Sequence, residues 1–398
     1  RTRLMVYNIK TKTVRQVTDG TYWLRYSGGF EYSWSPDGKW FTIEYTANGH
    51  EPYNDVGLVS ANGGPIPNIT ASGYTSANAK WVLDGNAILF FSEIYGMRAQ
   101  ASWGSQDDVY LCFVNKDSYD KYRLSKEDYE LLKEVEKKDS KKKDGSKDIV
   151  VELDGIRDRI VRVTPNSSSL GDAIITKNGE TLYYLTSFES GMDLWKMDLR
   201  KHETKLVTKD AGSGHFETDS TGKTIFLLGS RMKKMDGDKF KPISYTAELK
   251  LDHAAEREYM FNYVYREEQK RFYTEDMNGV DWDGMTAAYR KFLPHISNNY
   301  DFQEMLSEIL GELNVSHTGG RYYRPAVKGD AAASQLGLLY DLTYTGEGYK
   351  VSEVLKGGPF DKKTSNMRAG AVITAINGQP LTADMDIVQL TNGQARKK

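Results

Sequence analysis

The feature that most constrains this chain is a unit that recurs four times in its first 230 or so residues. WSPDGKWFTIEY spans Trp34 to Tyr45, WVLDGNAILFF spans Trp81 to Phe91, ITKNGETLYYL spans Ile175 to Leu185, and TDSTGKTIFLL spans Thr218 to Leu228. Each carries a glycine turn followed by an alternating or continuous apolar strand. The turn glycines Gly38, Gly85, Gly179 and Gly222 lie 47, 94 and 43 residues apart. A second element follows the first and opens at Asp55, Asp108 and Asp193 (DVGLVS, DVYLCF, DLWKMD). A period of 40 to 50 residues built from several short strands predicts propeller blades. The middle interval reads as about two repeats and contains a charged insertion. Residues 1–245 are therefore expected to form about five blades, with Asp37 and Gly38 making a turn and Trp34 and Trp81 packing between blades.

The SPDGK stretch, Ser35 to Lys39, resembles the WD40-like repeats of the TolB type. The insertion, at about 119–148, opens with a capping box of Ser125 and Asp128 before Leu131, Leu132 and Val135, which predicts a short helix. The run Lys137 to Lys143 (KKDSKKK) reads as a solvated inter-blade loop, with a basic docking patch as the alternative.

From about residue 246 the apolar period becomes helical. Three helices are expected within 246–325. The first lies in His253 to Thr274, and the second in Asp281 to Ile296, stopped at Pro294. The third opens at Asp301. Its Phe302, Met305, Leu306, Ile309, Leu310 and Leu313 make one buried stripe. Asp301 is read as its N-cap, with Glu304 completing a capping box. Asn314 suits the left-handed residue that ends it. Immediately beyond stand Ser316 and His317. By spacing alone, a histidine there is a capping or surface residue drawn to the negative helix end. The Asp276, Asn278, Asp281, Asp283 cluster lacks calcium-loop spacing and reads as turn and cap chemistry.

Residues 331–398 alternate strand and turn. MRAGAVITAINGQPL, Met367 to Leu381, resembles the PDZ consensus, with Ala371 where that consensus has Asp. Leu336-Gly337-Leu338 resembles the apolar-Gly-apolar loop with which PDZ domains hold a peptide carboxylate on backbone N–H groups.

Composition excludes several classes. A net charge of −2 gives no case for nucleic acid or an anionic membrane. No apolar run reaches the roughly 18 residues that a membrane span needs. The single cysteine, Cys112, rules out an internal disulfide framework and multi-cysteine metal sites. No metal or cofactor is expected.

The expected fold class is multidomain and mainly β: a partial WD40-like or TolB-like propeller, then a small helical domain, then a PDZ domain. That order, with GELNVSH (Gly311 to His317) and GVDWDGM (Gly279 to Met285), resembles the tricorn protease family. The resemblance implies a serine endopeptidase of peptides in which His317 is the general base and Ser316 helps orient the site. Thr318-Gly319-Gly320 departs from the family pattern. The family's nucleophilic serine, oxyanion donors and a catalytic glutamate lie in an α/β domain after the PDZ domain. The chain, which starts at Arg1 and ends at Lys398 on a basic tail, is accordingly expected to be a fragment, inactive alone, with half an active site. No G-x-S-x-G elbow occurs, and Gly212-Ser213-Gly214 reads as a plain loop. Peptide substrates and a homo-oligomer are the expected partners, and the cytoplasm, or else the periplasm, the expected compartment. The competing class is a non-enzymatic propeller–PDZ scaffold in which Ser316 and His317 are incidental. A propeller peptidase with an α/β-hydrolase domain is a weaker third.

Overall fold

The computed structural model describes residues 3–20, 31–47, 49, 53–98, 104–139, 148–324, 334–382 and 384–395. His50, most of the KKDSKKK run, residues 331–333 and the terminal 396–398 lie outside them. The chain divides into two compact units, Arg1–Ala247 and Glu248–Lys398.

The first unit is a series of consecutive antiparallel meanders. β1 (Met5–Asn8) and β2 (Thr13–Gln16) form a hairpin, and β3 (Tyr32–Trp34), β4 (Trp40–Tyr45) and β5 (Asp55–Ser60) form a three-stranded sheet. Three four-stranded sheets follow. The first holds β6 (Ser76–Val82), β7 (Ala87–Ser92), β8 (Asp108–Phe113) and β9 (Ile160–Arg162). The second holds β10 (Ser169–Ile175), β11 (Thr181–Ser187), β12 (Asp193–Asp198) and β13 (Glu203–Thr208). The third holds β14 (His215–Thr218), β15 (Ile225–Leu228), β16 (Lys233–Asp236) and β17 (Lys239–Pro242). Strand order equals chain order in every sheet, the arrangement of propeller blades. Each repeated apolar strand is the second of its sheet.

The continuous apolar runs have a direct cause. A strand sends alternate side chains to opposite faces. In β7, Ile88 and Phe90 pack with Val56 and Leu58 of the preceding sheet and with Ile69 of the segment that follows it. Ala87, Leu89 and Phe91 pack with Ala173, Ile175, Leu182 and Tyr184 of the following one. Both faces are dry, so both must be apolar. The next junction repeats this with Leu185 and Leu194 against Phe216, Ile225 and Leu227.

Two expectations are corrected here. The 94-residue interval is one repeat enlarged by an excursion between β8 and β9, not two repeats. That excursion holds α1 (Lys116–Arg123) and α2 (Lys126–Asp139), and its length happens to match a repeat. Ser125 and Asp128 do cap α2: the Asp128 N–H donates to Ser125 Oγ at 3.1 Å, and Ser125 Oγ donates to the Asp128 carboxylate at 2.8 Å. The α1 helix starts at Lys116 because Asn115 accepts from the Ser118 N–H. Trp34 is 43% exposed and packs tilted by 52° against Phe41 of its own hairpin, 4.0 Å between ring centres. It lies on edge strand β3, where no sheet among the described residues covers it. Trp81 does bridge sheets, donating from Nε1 to the Ser33 carbonyl at 3.2 Å.

The turn glycines Gly38, Gly85, Gly179 and Gly222 all have positive φ, between 68° and 88°. A sharper requirement falls on Gly214, with φ +154° and an added Cβ only 2.4 Å from the Leu228 carbonyl oxygen. Gly38 has open space around it. Gly214→Ala is expected to cost roughly 2–4 kcal/mol, against about 1 kcal/mol for Gly38→Ala. Urea unfolding of the two variants checks this, and equal midpoints would refute it. The Gly212-Ser213-Gly214 loop thus has a packing explanation.

In the second unit, α3 (His253–Arg271), α4 (Trp282–Arg290) and α5 (Asn299–Gly311) enclose one core of Phe261, Met277, Trp282, Phe302, Met305, Ile309, Leu310 and Leu313. Trp282 Nε1 donates to the Tyr265 carbonyl at 3.2 Å. The N-cap of α5 is Asn298, not Asp301: Asn298 Oδ1 accepts from the Tyr300 and Asp301 N–H groups, both at 2.9 Å. Asp301 sits two positions inside the first turn and accepts from Asn298 Nδ2 at 2.7 Å, so the box closes one turn earlier than expected. The α4 helix ends at Arg290, and Pro294 falls in a following 3₁₀ turn, Leu293–His295. Further along, β18 (Leu338–Tyr340), β19 (Tyr349–Val354) and β20 (Val372–Ile373) form a small sheet with β18 at one edge. A hairpin of β21 (Ala375–Ile376) and β22 (Gln379–Pro380) and the short α6 (Ile387–Thr391) complete the unit.

Candidate active-site turn after the third helix

The turn that carries Ser316 and His317 is pinned at both ends. Leu313 is fully buried at the end of the α5 stripe. Its carbonyl, just past the helix end, accepts from Asn278 Nδ2 at 3.1 Å. Asn314 has φ +50°, as its place after the helix requires, and its N–H reaches the Gly311 carbonyl at 3.1 Å. Beyond the pair, Thr318 Oγ1 donates to the Val315 carbonyl at 3.1 Å. The Gly320 N–H donates to Ser307 Oγ, also at 3.1 Å, and Gln303 Nε2 holds the same hydroxyl at 3.1 Å.

Between these anchors Ser316 and His317 are exposed, and neither side chain has a hydrogen-bond partner among the described residues. His317 adopts φ +66°. A left-handed non-glycine residue costs on the order of 1 kcal/mol and is held only by its surroundings. The structure thus holds Ser316 and His317 on a braced turn, with both side chains exposed among the described residues. Leu336, Gly337 and Leu338 lie elsewhere in the same unit. Gly337 has φ +65°, its carbonyl accepts from the Leu355 N–H at 2.9 Å, and Leu338 is buried.

The cluster considered as a calcium loop does turn and cap work. Asp281 caps α4 by accepting from the Gly284 N–H at 2.9 Å, and Asp283 accepts from Tyr265 Oη at 2.8 Å. No group of acidic, histidine or cysteine side chains among the described residues is arranged to hold a metal ion. No helix among them is long and apolar enough to cross a membrane.

Sequence reasoning missed a groove of about 600 Å³ lined by β3, β6, β10 and β14, the first strand of each of four successive sheets. Glu44 stands in its wall. Burial pushes its carboxyl up to about 7, against a hydrogen bond from the Ala79 N–H at 3.1 Å that favours the charged form. Nearby, Lys80 pairs with the buried Asp172 at 2.5 Å. The only signal in the sequence was an acidic residue at a position where the strand pattern calls for an apolar one. The folded chain binds the Glu44 proton more tightly than the unfolded chain does, where the value is near 4.5. Glu44 therefore opposes folding increasingly as pH rises from about 4.5 to about 7, by roughly 1–3 kcal/mol in all. Glu44→Gln is expected to flatten stability between pH 5 and pH 8. Unfolding midpoints across that range check it; an unchanged pH slope would count against a buried, protonated Glu44.

Residues 253–311 match the family model of the tricorn protease C1 domain. The match ends at Gly311, just before the turn that carries Ser316 and His317. The chain is 29% identical over 227 residues to Tricorn protease homolog 1 of Streptomyces coelicolor, an overlap of 51% of this chain and 21% of that protein. It is 21% identical over 416 residues to a protein of Sulfurisphaera tokodaii named as a Tricorn-like protease C-terminal subunit, covering 95% of this chain and 45% of that one. The crystal structure of the tricorn protease superposes with a TM-score of 0.66 at 12% identity, over 99% of this chain and 39% of that chain. This chain thus spans less than half the length of each of these relatives. The C1 match, the relatives and the shared arrangement of sheets and helices agree: the chain belongs to the tricorn protease family.

Proposed function

We propose that this chain supplies one half of a serine-peptidase site that cuts peptides, with His317 as the general base. The observation that supports it is the placement of Ser316 and His317 on a braced, left-handed turn directly after a tricorn C1 helix. Strained residues held by their surroundings concentrate at functional sites. A serine hydroxyl is a weak nucleophile and needs a base within hydrogen-bond reach. An imidazole can take that proton and return it to the leaving amine. Ser316, next to it in the chain, is the orienting residue. The nucleophile belongs to the part of the family's length that this chain does not span. The full-length protein, treated with a fluorophosphonate, should be labelled at a serine outside these 398 residues and lose its cleavage of unstructured peptides. Absence of both labelling and cleavage would leave the scaffold reading.

Residues 331–398 are read as a PDZ domain that takes a peptide end. Edge strand β18 offers unpaired backbone groups for an added strand, and the Leu336-Gly337-Leu338 loop precedes it. A peptide with a free C-terminus should then bind this unit more tightly than its amide, and equal binding would reject the reading.

A further inference from the structure

The helical excursion leaves a second cavity, of about 320 Å³, between α1 and the turn joining β12 to β13. Its chemistry is one-sided. Arg123, Arg200 and His202 line it, and no Asp or Glu does. Neither arginine has an ion-pair partner among the described residues. The carboxylate closest to Arg200 in sequence, Asp198, is taken up by the N–H groups of Arg200 and Lys201, both at 2.9 Å.

Arg200 is held flat. Its guanidinium lies 3.7 Å from the Tyr129 ring centre and 5.7 Å from that of Tyr122. Nη1 donates to the carbonyls of Tyr122 at 2.6 Å and Lys121 at 3.2 Å. Its Nε is buried with no hydrogen-bond partner. Arg123 stacks over Tyr119, 5.5 Å from the ring centre, and stays exposed. His202, on the β12–β13 turn, has φ +56° and is also exposed. The rest of the lining is Tyr119 and Tyr122, on which the two guanidinium groups lean, with the aliphatic Leu124, Val161 and the buried Leu199.

Two unneutralised guanidinium groups beside an apolar floor call for a ligand with a negative head and an apolar body. A planar guanidinium matches a carboxylate with paired hydrogen bonds. The volume is at the small end for ligand sites and suits one amino-acid-sized group. We propose that this cavity binds a small carboxylic acid, with its carboxylate at Arg123 and Arg200 and its apolar body on Leu124, Val161 and Leu199. The site is independent of the peptidase reading and of the PDZ loop, since it lies in the first unit.

The test is calorimetric titration of the intact chain with N-acetyl-leucine, N-acetyl-leucinamide and phenyl phosphate, repeated on Arg123→Gln. N-acetyl-leucine is expected to bind about tenfold more tightly than its amide, and to lose about tenfold in Arg123→Gln. Arg200 is left intact because it holds the end of α1. His202→Gln changes the same lining from the β12–β13 turn and leaves α1 untouched, so it should also weaken the acid. Equal binding of acid and amide would overturn the proposal, as would binding of phenyl phosphate alone. Acid binding untouched by either substitution would place it elsewhere and overturn it too.

Discussion

His317→Ala in the full-length protein is expected to lower kcat/KM for peptide hydrolysis by about 10³-fold or more, with KM little changed. A general base acts on the transition state rather than on ground-state binding, so the loss should fall on kcat. The substitution removes no core contact, because the side chain is exposed and unbonded among the described residues. Unfolding midpoints of parent and variant should therefore agree closely. His317→Gly sharpens the test. At φ +66° glycine is relaxed where histidine and alanine are strained, so the glycine variant should be as inactive as the alanine one while gaining up to about 1 kcal/mol in stability. A catalytic role and a merely structural one thus move in opposite directions. Cleavage by either variant at the parent's rate would remove His317 from the mechanism and bring the scaffold reading forward.

What the sequence disclosed followed from how locally each feature is determined. The repeated strands were legible because burial on both faces leaves AILFF in β7 no polar position. Their turn glycines were legible because a left-handed residue selects glycine. The α5 stripe was equally plain, since Phe302, Met305, Ile309 and Leu310 are all buried. Its start was misplaced because Asn298 and Asp301 are both competent caps, and only the register of the first turn decides between them. The 94-residue interval misled because repeat length alone cannot separate a second blade from a helical excursion. Trp34 misled because large aromatic residues are usually covered, whereas its coverage depends on which sheet lies beyond edge strand β3. The groove beside Glu44 was invisible for a different reason. It arises from four strands far apart in sequence. Ser316 and His317 stood out only through the family resemblance, since position after a helix does not tell an exposed cap from a base.

The Asp that heads three of the third strands, β5, β8 and β12, reads as turn punctuation in sequence, yet it predicts the largest stability effect in the first unit. Asp108 is completely buried. One carboxylate oxygen accepts from Arg162 Nη2 at 3.0 Å and Thr164 Oγ1 at 2.9 Å, and the other from Ser167 Oγ at 2.8 Å. Thr164 in turn receives the Val109 N–H at 3.1 Å, which ties β8 to the segment after β9. Asp55 repeats the core of this device: it accepts from Thr70 Oγ1 at 2.9 Å, and Thr70 receives the Val56 N–H at 3.0 Å, with no arginine on the carboxylate among the described residues. The difference sets the magnitudes. Asp108→Ala strands a partly buried guanidinium and two hydroxyls, so about 3–5 kcal/mol is expected. Asp55→Ala strands one hydroxyl and should cost about 1–3 kcal/mol. Asp108→Asn keeps the shape, and it should also ease the ionisation of Asp107, which burial first and the charges of Glu93 and Asp108 next push up to about 6. Its cost should fall between the other two. Urea unfolding of the three variants at neutral pH decides the matter. Equal losses at Asp55 and Asp108 would mean that the Arg162 and Ser167 contacts add nothing, and that the repeated Asp–Thr pair alone carries the effect.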